Sequence, residues 1–169
     1  EIRRTVELAA SMADVFDRVD DLADYPTWME LVHEVHPVSD IDANADGQTD
    51  QPRSGTRSWE VELQAQVGPL TRSKRLRMTR THHEPPTSVT FERDEVDDRR
   101  HSPWVLHCEL AELAAAPSSP IVELQMTLTY GGSLWTGAVL QRVLDDHVER
   151  GATALADLVG RQVGDAEAH

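Results

Sequence analysis

The sequence predicts an α+β fold in which a curved, seven-stranded antiparallel sheet wraps one long C-terminal helix. Two short helices follow the first strand. The first observation behind this is the stretch Leu134 to Val159. Leu140, Leu144, His147, Gly151, Leu155 and Leu158 fall along one line of a helix, with Val143 and Val148 at its edges. Arg142, Asp145, Asp146 and Glu149 point away from that line. About 26 residues at ~1.5 Å each give a rod of roughly 39 Å, the width of a small domain. The second observation is that most of the chain before this rod alternates with period two, as half-buried strands do. The third is a helical stripe, Val15, Phe16, Val19 and Leu22, directly after the first strand. One long helix after many strands is packed most simply by a sheet that curls around it.

The elements are predicted in order as follows. Ile2, Val6 and Leu8 mark the first strand. Ser11 opens a helix, with Asp14 three residues on as a capping-box variant. Asp24-Tyr25-Pro26 breaks that helix, and a second short helix is expected over Thr27–Val32, with Pro26 at its start. His33 to Asp42 reads as the second strand. The acidic loop after it has an EF-hand-like run, Asp42, Asn44, Asp46, Gly47 and Asp50. Arg53 stands where the bidentate Glu of such a loop belongs, so a solvated hairpin loop is expected and not a calcium site.

From Thr56 to Val67, Trp59, Val61, Leu63, Ala65 and Val67 share one face and Ser58, Glu60, Glu62, Gln64 and Gln66 the other. Gly68-Pro69 turns the chain into a basic strand, Leu70 to Thr81. One of its faces carries Arg72, Lys74, Leu76, Met78 and Arg80, and the other Ser73, Arg75, Arg77 and Thr79. The apolar pair Leu76 and Met78 marks its face as the inward one. Its arginines have two readings: cross-strand pairing with nearby Glu and Asp, or a guanidinium of Arg75 or Arg77 holding an oxygen anion inside the fold. Three more alternating strands follow, around Val89/Phe91, around Trp104/Leu106/Cys108/Leu110, and from Val122 to Tyr130. Ser133 is the expected N-cap of the long helix and Gly160 its C-cap. Residues 1–160 are thus one predicted domain and 161–169 a frayed, flexible tail.

Composition narrows the function classes. Thirty acidic against sixteen basic residues leave a net charge of −14, which repels nucleic acid and anionic membrane. No run of ~18 apolar residues is present, so no integral membrane association is expected. A single cysteine, Cys108, excludes an internal disulfide and fits a reducing cytoplasm. His82-His83 and His33/His36 lack the spacing of metal ligands, because neighbouring strand residues face opposite ways. No metal and no cofactor is expected. The oligomeric state, monomer or homodimer, is left open.

The run from Ala9 to Val32 carries a resemblance. Ser11, Val15 and Phe16, followed by Asp21, Tyr25, Pro26 and Trp28, resemble the Ser-x-x-x-Val-Phe and Asp-x-x-x-Tyr-Pro-x-Trp motifs of the START-like, helix-grip (SRPBCC) superfamily. The polyketide cyclase/dehydratase and lipid-transport family is the branch it resembles, and the likeness extends over nearly the whole chain. That resemblance implies a cavity between sheet and helix that takes a hydrophobic small molecule such as a lipid, a polyketide or an aromatic metabolite.

From residue types alone, the inward side chains fit a ligand pocket and a filled core equally. They are Trp59, Val61, Leu63, Met78, Phe91 and Trp104, then Leu106, Leu124, Met126 and Leu128, facing Leu140 and Leu144 of the helix. Trp28 is expected near the mouth, where an amphipathic ring suits a partly wet position. His147 is the titratable group on the helix's buried line, either a neutral core histidine or a polar anchor or base for a ligand. Gly151, one turn on, is read as leaving room beside it.

The aromatase/cyclase branch of the family implies an inward Arg, a His and an acid. Arg75 and His147 are the candidates here, but Leu124, Met126, Leu128 and Leu155 stand where further polar groups are wanted. Non-catalytic binding is therefore the expected function. The alternatives are a cyclase or dehydratase, and a protein-interaction module of the same fold.

Overall fold

The computed structural model describes residues 1–38, 57–67, 69–94, 102–114, 120–131 and 138–167. The EF-hand-like loop, Ser133 and Leu134 lie outside the described residues, and the side chains of Leu140 and Leu144 lie outside the described side chains.

Seven strands form one antiparallel sheet. They are β1 (Ile2–Leu8), β2 (Val32–Val38), β3 (Ser58–Val67), β4 (Leu70–Glu84), β5 (Ser88–Arg93), β6 (Trp104–Ala114) and β7 (Ile121–Tyr130). Their order across the sheet is β1-β7-β6-β5-β4-β3-β2. Consecutive strands from β2 to β7 are neighbours, and β1 joins the far edge against β7. The long helix is α2, Ala138–Glu167. It packs on β1, one edge of the sheet, and also on β3, the strand next to the other edge. One helix can touch both only if the sheet curls around it, so the helix-grip architecture follows from these contacts.

Helix α1 (Met12–Val19) begins as expected. The Ser11 hydroxyl accepts from the Asp14 backbone N–H at 3.1 Å and donates to the Asp14 carboxylate at 2.6 Å. Its buried face is Val15, Phe16 and Val19. At its end Arg80 of β4 donates to the Asp20 carbonyl at 3.2 Å, and His83 lies 3.2 Å from the Asp20 carboxylate.

The second short helix differs from expectation. It is a 3-10 helix over Leu22–Thr27 with Pro26 inside it, not a helix over Thr27–Val32. Asp21 caps it by accepting from the Ala23 N–H at 2.9 Å. Pro26 carries no N–H, which a helix of two turns can spare, and the chain then bends through Trp28 to Leu31 into β2.

The far end of α2 also differs. The helix passes Gly160 and ends at Glu167. A Cβ at Gly160 would meet nothing within 4 Å, so no close approach demands a glycine there. A helical glycine costs only about 1 kcal/mol relative to alanine, too little to stop a helix by itself. The buried row of α2 is His147, Val148, Gly151, Ala152, Leu155 and Val159. It is rotated slightly from the predicted line, so Val159 is covered and Leu158 only half-buried.

Candidate functional site

Between the concave face of the sheet and α2 lies an apolar cavity. The free space is about 640 Å³ including its open mouth, of which about 70 Å³ admits the centre of a water-sized sphere. A single water needs roughly 10–15 Å³ by that measure, so the interior suits one ring or a short acyl chain. The sheet contributes Val61 and Leu63 from β3, Leu76 and Met78 from β4, and Trp104 and Leu106 from β6. Met126 and Leu128 of β7 continue the wall. Each set is spaced by two, as one face of a strand must be. Val148 of α2 closes the helix side.

Five further lining residues come from the connection between α1 and β2 and from the first residue of β2: Leu22, Tyr25, Met29, Leu31 and Val32. Sequence reasoning missed them because the segment has no regular period. The signal available was the Tyr-Pro pair, whose 3-10 geometry turns Tyr25 under the sheet. Tyr25 is fully covered. Its hydroxyl donates to the Val19 carbonyl at 3.0 Å. With that proton committed, the Cys108 thiol at 3.6 Å is the donor to the same oxygen. Burial raises the Tyr25 pKa well above 10, helped by Cys108, and pushes the Cys108 thiol up to about 12, against a smaller opposing effect of its contact with Tyr25. Both are neutral at physiological pH. Tyr25 is the only titratable group among the described lining residues.

The described lining does not include Trp28, Trp59, Phe91, Leu124, His147 or Gly151. Trp59 and Phe91 pack edge to face at 5.5 Å and form solid core behind the wall. Leu124 is sealed between strands, opposite Val6 of β1 and Leu110 of β6. Trp28 is buried against the Tyr25 ring at 4.5 Å and is not a wet mouth residue.

Gly151 has a packing role instead of opening space for a ligand. A Cβ there would come within 2.8 Å of the Met29 Sδ and 3.5 Å of the Trp28 carbonyl. The missing side chain lets the turn after the 3-10 helix seat on α2, and Met29 fills the room beside His147.

His147 lies in a polar cluster at that same seam. Arg150 donates to its Nδ1 at 3.2 Å, and the Glu30 carboxylate lies 3.7 Å from the same nitrogen. Arg150 also pairs with Glu30 at 3.1 Å. Burial, then the Arg150 guanidinium, lower the His147 pKa below 6.5, and Glu30 and Asp146 only partly offset them. The sign of the pH effect follows. The unfolded chain takes up a proton near pH 6.5 that the folded chain resists, so this group's share of stability is present above pH 6.5 and is lost as pH falls toward the folded pKa. His147→Gln should therefore shrink the drop in urea midpoint between about pH 7 and 5.5. An undiminished drop would place its source elsewhere.

Arg75 points away from the cavity. Its Nε donates to Glu62 at 2.9 Å, and its side chain is 83% exposed. The register sets Glu62 opposite Arg75 and Glu60 opposite Arg77 on the convex face, which is the cross-strand pairing reading of that basic strand. Arg75 and His147 are thus not brought together. The histidine pair separates as strand parity requires. His82 turns to the Ser88 hydroxyl at 3.1 Å and His83 to Asp20.

No helix among the described residues is long and apolar enough to cross a membrane. No curated protein matches the sequence significantly. Solved structures do. A START superfamily protein from Mycobacterium smegmatis superposes with a TM-score of 0.62 at 14% identity, covering 95% of this chain and 97% of that one. The Zhui aromatase/cyclase from Streptomyces sp. R1128 gives 0.63 at 13% identity over 96% and 94%. The di-domain ARO/CYC BexL gives 0.58 at 16% identity over 94% of this chain and 49% of that one. Identities this low establish the fold. The sequence profile described as polyketide cyclase/dehydrase and lipid transport matches residues 1–160. Nearly the full length is matched in one run, and on that ground the chain belongs to the polyketide cyclase/dehydrase and lipid transport family.

Proposed function

We propose that this protein holds a hydrophobic small molecule, such as a lipid, a polyketide or an aromatic metabolite, in the cavity between sheet and α2, and does so without catalysis. The observation that carries this reading is the lining itself. Its walls are hydrocarbon, indole and thioether, and the one titratable group among its described residues, Tyr25, is neutral and already donating to Val19. Burial of apolar ligand surface there is worth roughly 25 cal/mol per Å², and three methionines, Met29, Met78 and Met126, can move to fit different shapes. Cyclisation and dehydration need groups that move protons and stabilise an enolate. Arg75 faces solvent, and His147 is engaged by Arg150 at the seam. One buried thiol suits a reducing compartment such as the cytoplasm.

Native mass spectrometry of the protein purified from its own host is the direct test. The expected result is a noncovalent small-molecule adduct that is lost on denaturation. A bare protein that also takes up no apolar probe would overturn the reading.

A further inference from the structure

The connection that brings Tyr25 and Met29 to the cavity is held differently on its two sides. On the sheet side its chain runs directly into β2, and the Gln64 N–H of β3 donates to the Leu31 carbonyl at 2.9 Å. On the helix side no main-chain hydrogen bond joins it to α2 among the described residues. Side chains close that seam. Met29 packs so close to α2 that a Cβ on Gly151 would come within 2.8 Å of its Sδ. Glu30, next in the chain, pairs with Arg150 at 3.1 Å and lies 3.7 Å from the His147 Nδ1. Met29 lines the cavity and is 5% exposed, whereas the side chains of Glu30 and Arg150 are 65% and 58% exposed. Met29 is therefore the layer between the cavity and a surface ion pair. An unbranched thioether chain turns aside easily, and Gly151 offers no Cβ to obstruct it. The Met29 main chain can stay in place meanwhile. Its N–H donates to the Tyr25 carbonyl at 2.7 Å, and its carbonyl accepts from Val32 at 2.9 Å.

We infer that the Met29 side chain is a gate between the cavity and solvent, and that the Glu30–Arg150 pair beside His147 is the latch that keeps it shut. This rests on the proposed binding of a hydrophobic molecule in the same cavity and adds the route by which that molecule enters and leaves. An exposed ion pair is weak and screened by salt, so the latch opens often. It holds the closed form equally with and without ligand. It therefore sets the rates of exchange and leaves the affinity alone.

The test is fluorine NMR titration of the full chain with fluorobenzene, a one-ring apolar probe whose line shapes give both Kd and the dissociation rate. Glu30→Gln should speed association and dissociation alike by about fivefold, the size of one exposed ion pair, and leave Kd unchanged. Arg150→Gln should do the same, and the double variant should be no faster than either, since one pair is lost in all three. Arg57→Gln removes a different exposed pair on the same connection, with Asp21 at 3.2 Å, and should leave the rates as they are. Salt gives a second measurement that needs no variant. Raising NaCl from about 0.01 M to about 1 M shortens the screening length from roughly 30 to 3 Å, and should speed exchange in wild type but not in Glu30→Gln. Unchanged rates in Glu30→Gln would overturn the gate and leave the cavity reading standing. Faster dissociation with unchanged association would also overturn it, since a lost ligand contact and not a latch would then be the cause. Equal acceleration by Arg57→Gln would overturn it as well, because the whole connection would then be loosened. Failure of wild type to bind fluorobenzene would overturn the cavity reading, and the gate with it.

Discussion

Leu128→Trp should abolish ligand binding and leave the fold nearly as stable as before, whereas Leu124→Trp, four residues earlier on the same strand, should damage the fold. Both leucines lie on the inward face of β7 and both are buried. Leu128 lines the cavity, so an indole there has empty space to enter. Its insertion should change stability by no more than about 1 kcal/mol, because filling a void offsets the strain of a larger side chain. It should weaken an apolar ligand at least ~100-fold, or about 2.7 kcal/mol, by occupying the ligand's place. Leu124 has no exposed surface and is flanked by Val6 and Leu110 across the strands. The same indole there must push β1 or β6 aside, at about 1–3 kcal/mol or more. Urea denaturation and a binding titration on the two variants give four numbers. Equal destabilisation of both would mean that the space beside Leu128 is closed, and the cavity reading would fail.

The contrast between these leucines marks what strand periodicity can and cannot tell. Period two placed Val61, Leu63, Met78, Trp104, Leu106, Met126 and Leu128 on one surface, and all of them line the cavity. It also placed Trp59, Phe91 and Leu124 on that surface, and these are packed core. Parity decides which way a side chain faces, but the distance to what faces it depends on how tightly the sheet curls, a long-range property.

Arg75 shows the opposite case. Its direction is legible from the apolar pair Leu76/Met78, which marks the inward face, and the register with Glu62 explains why a basic strand crosses an acidic protein. The turn from Leu22 to Val32 was illegible as a wall because it has no period, and Pro26 fits the start of one helix as well as the interior of a 3-10 turn. In the sequence alone Gly151 reads as space. A glycine on a buried helical face signals only that something comes close, and here that something is Met29, which is far away in the sequence. Local chemistry thus revealed the elements and most of the sheet wall. The helix-side closure is set by tertiary contacts, which local pattern does not encode.

Trp59→Ala tests the assignment of the inner layer and should have the largest effect of any substitution on stability. Trp59 is 2% exposed, and its ring meets Phe91 at 5.5 Å with the planes at 76°, an edge-to-face contact. Across the strands it sits between Pro37 of β2 and Met78 of β4. It therefore ties an edge strand to the middle of the sheet. Truncation removes a buried indole and leaves a hole that the strands on both sides hold open, which costs about 3–5 kcal/mol. For a domain whose total stability is of order 5–15 kcal/mol, that is a large fraction, and the urea midpoint should fall accordingly. Trp59→Phe keeps an aromatic edge toward Phe91 and should recover more than half of the loss. If Trp59 is core and not cavity wall, Trp59→Phe should also leave ligand affinity unchanged, while Trp104→Phe, on the wall beneath Lys74, should alter it. A Trp59→Phe variant of native stability that binds ligand poorly would move Trp59 back into the site. The expected outcome is the reverse, because the indole's contacts run to Phe91 and to the neighbouring strands.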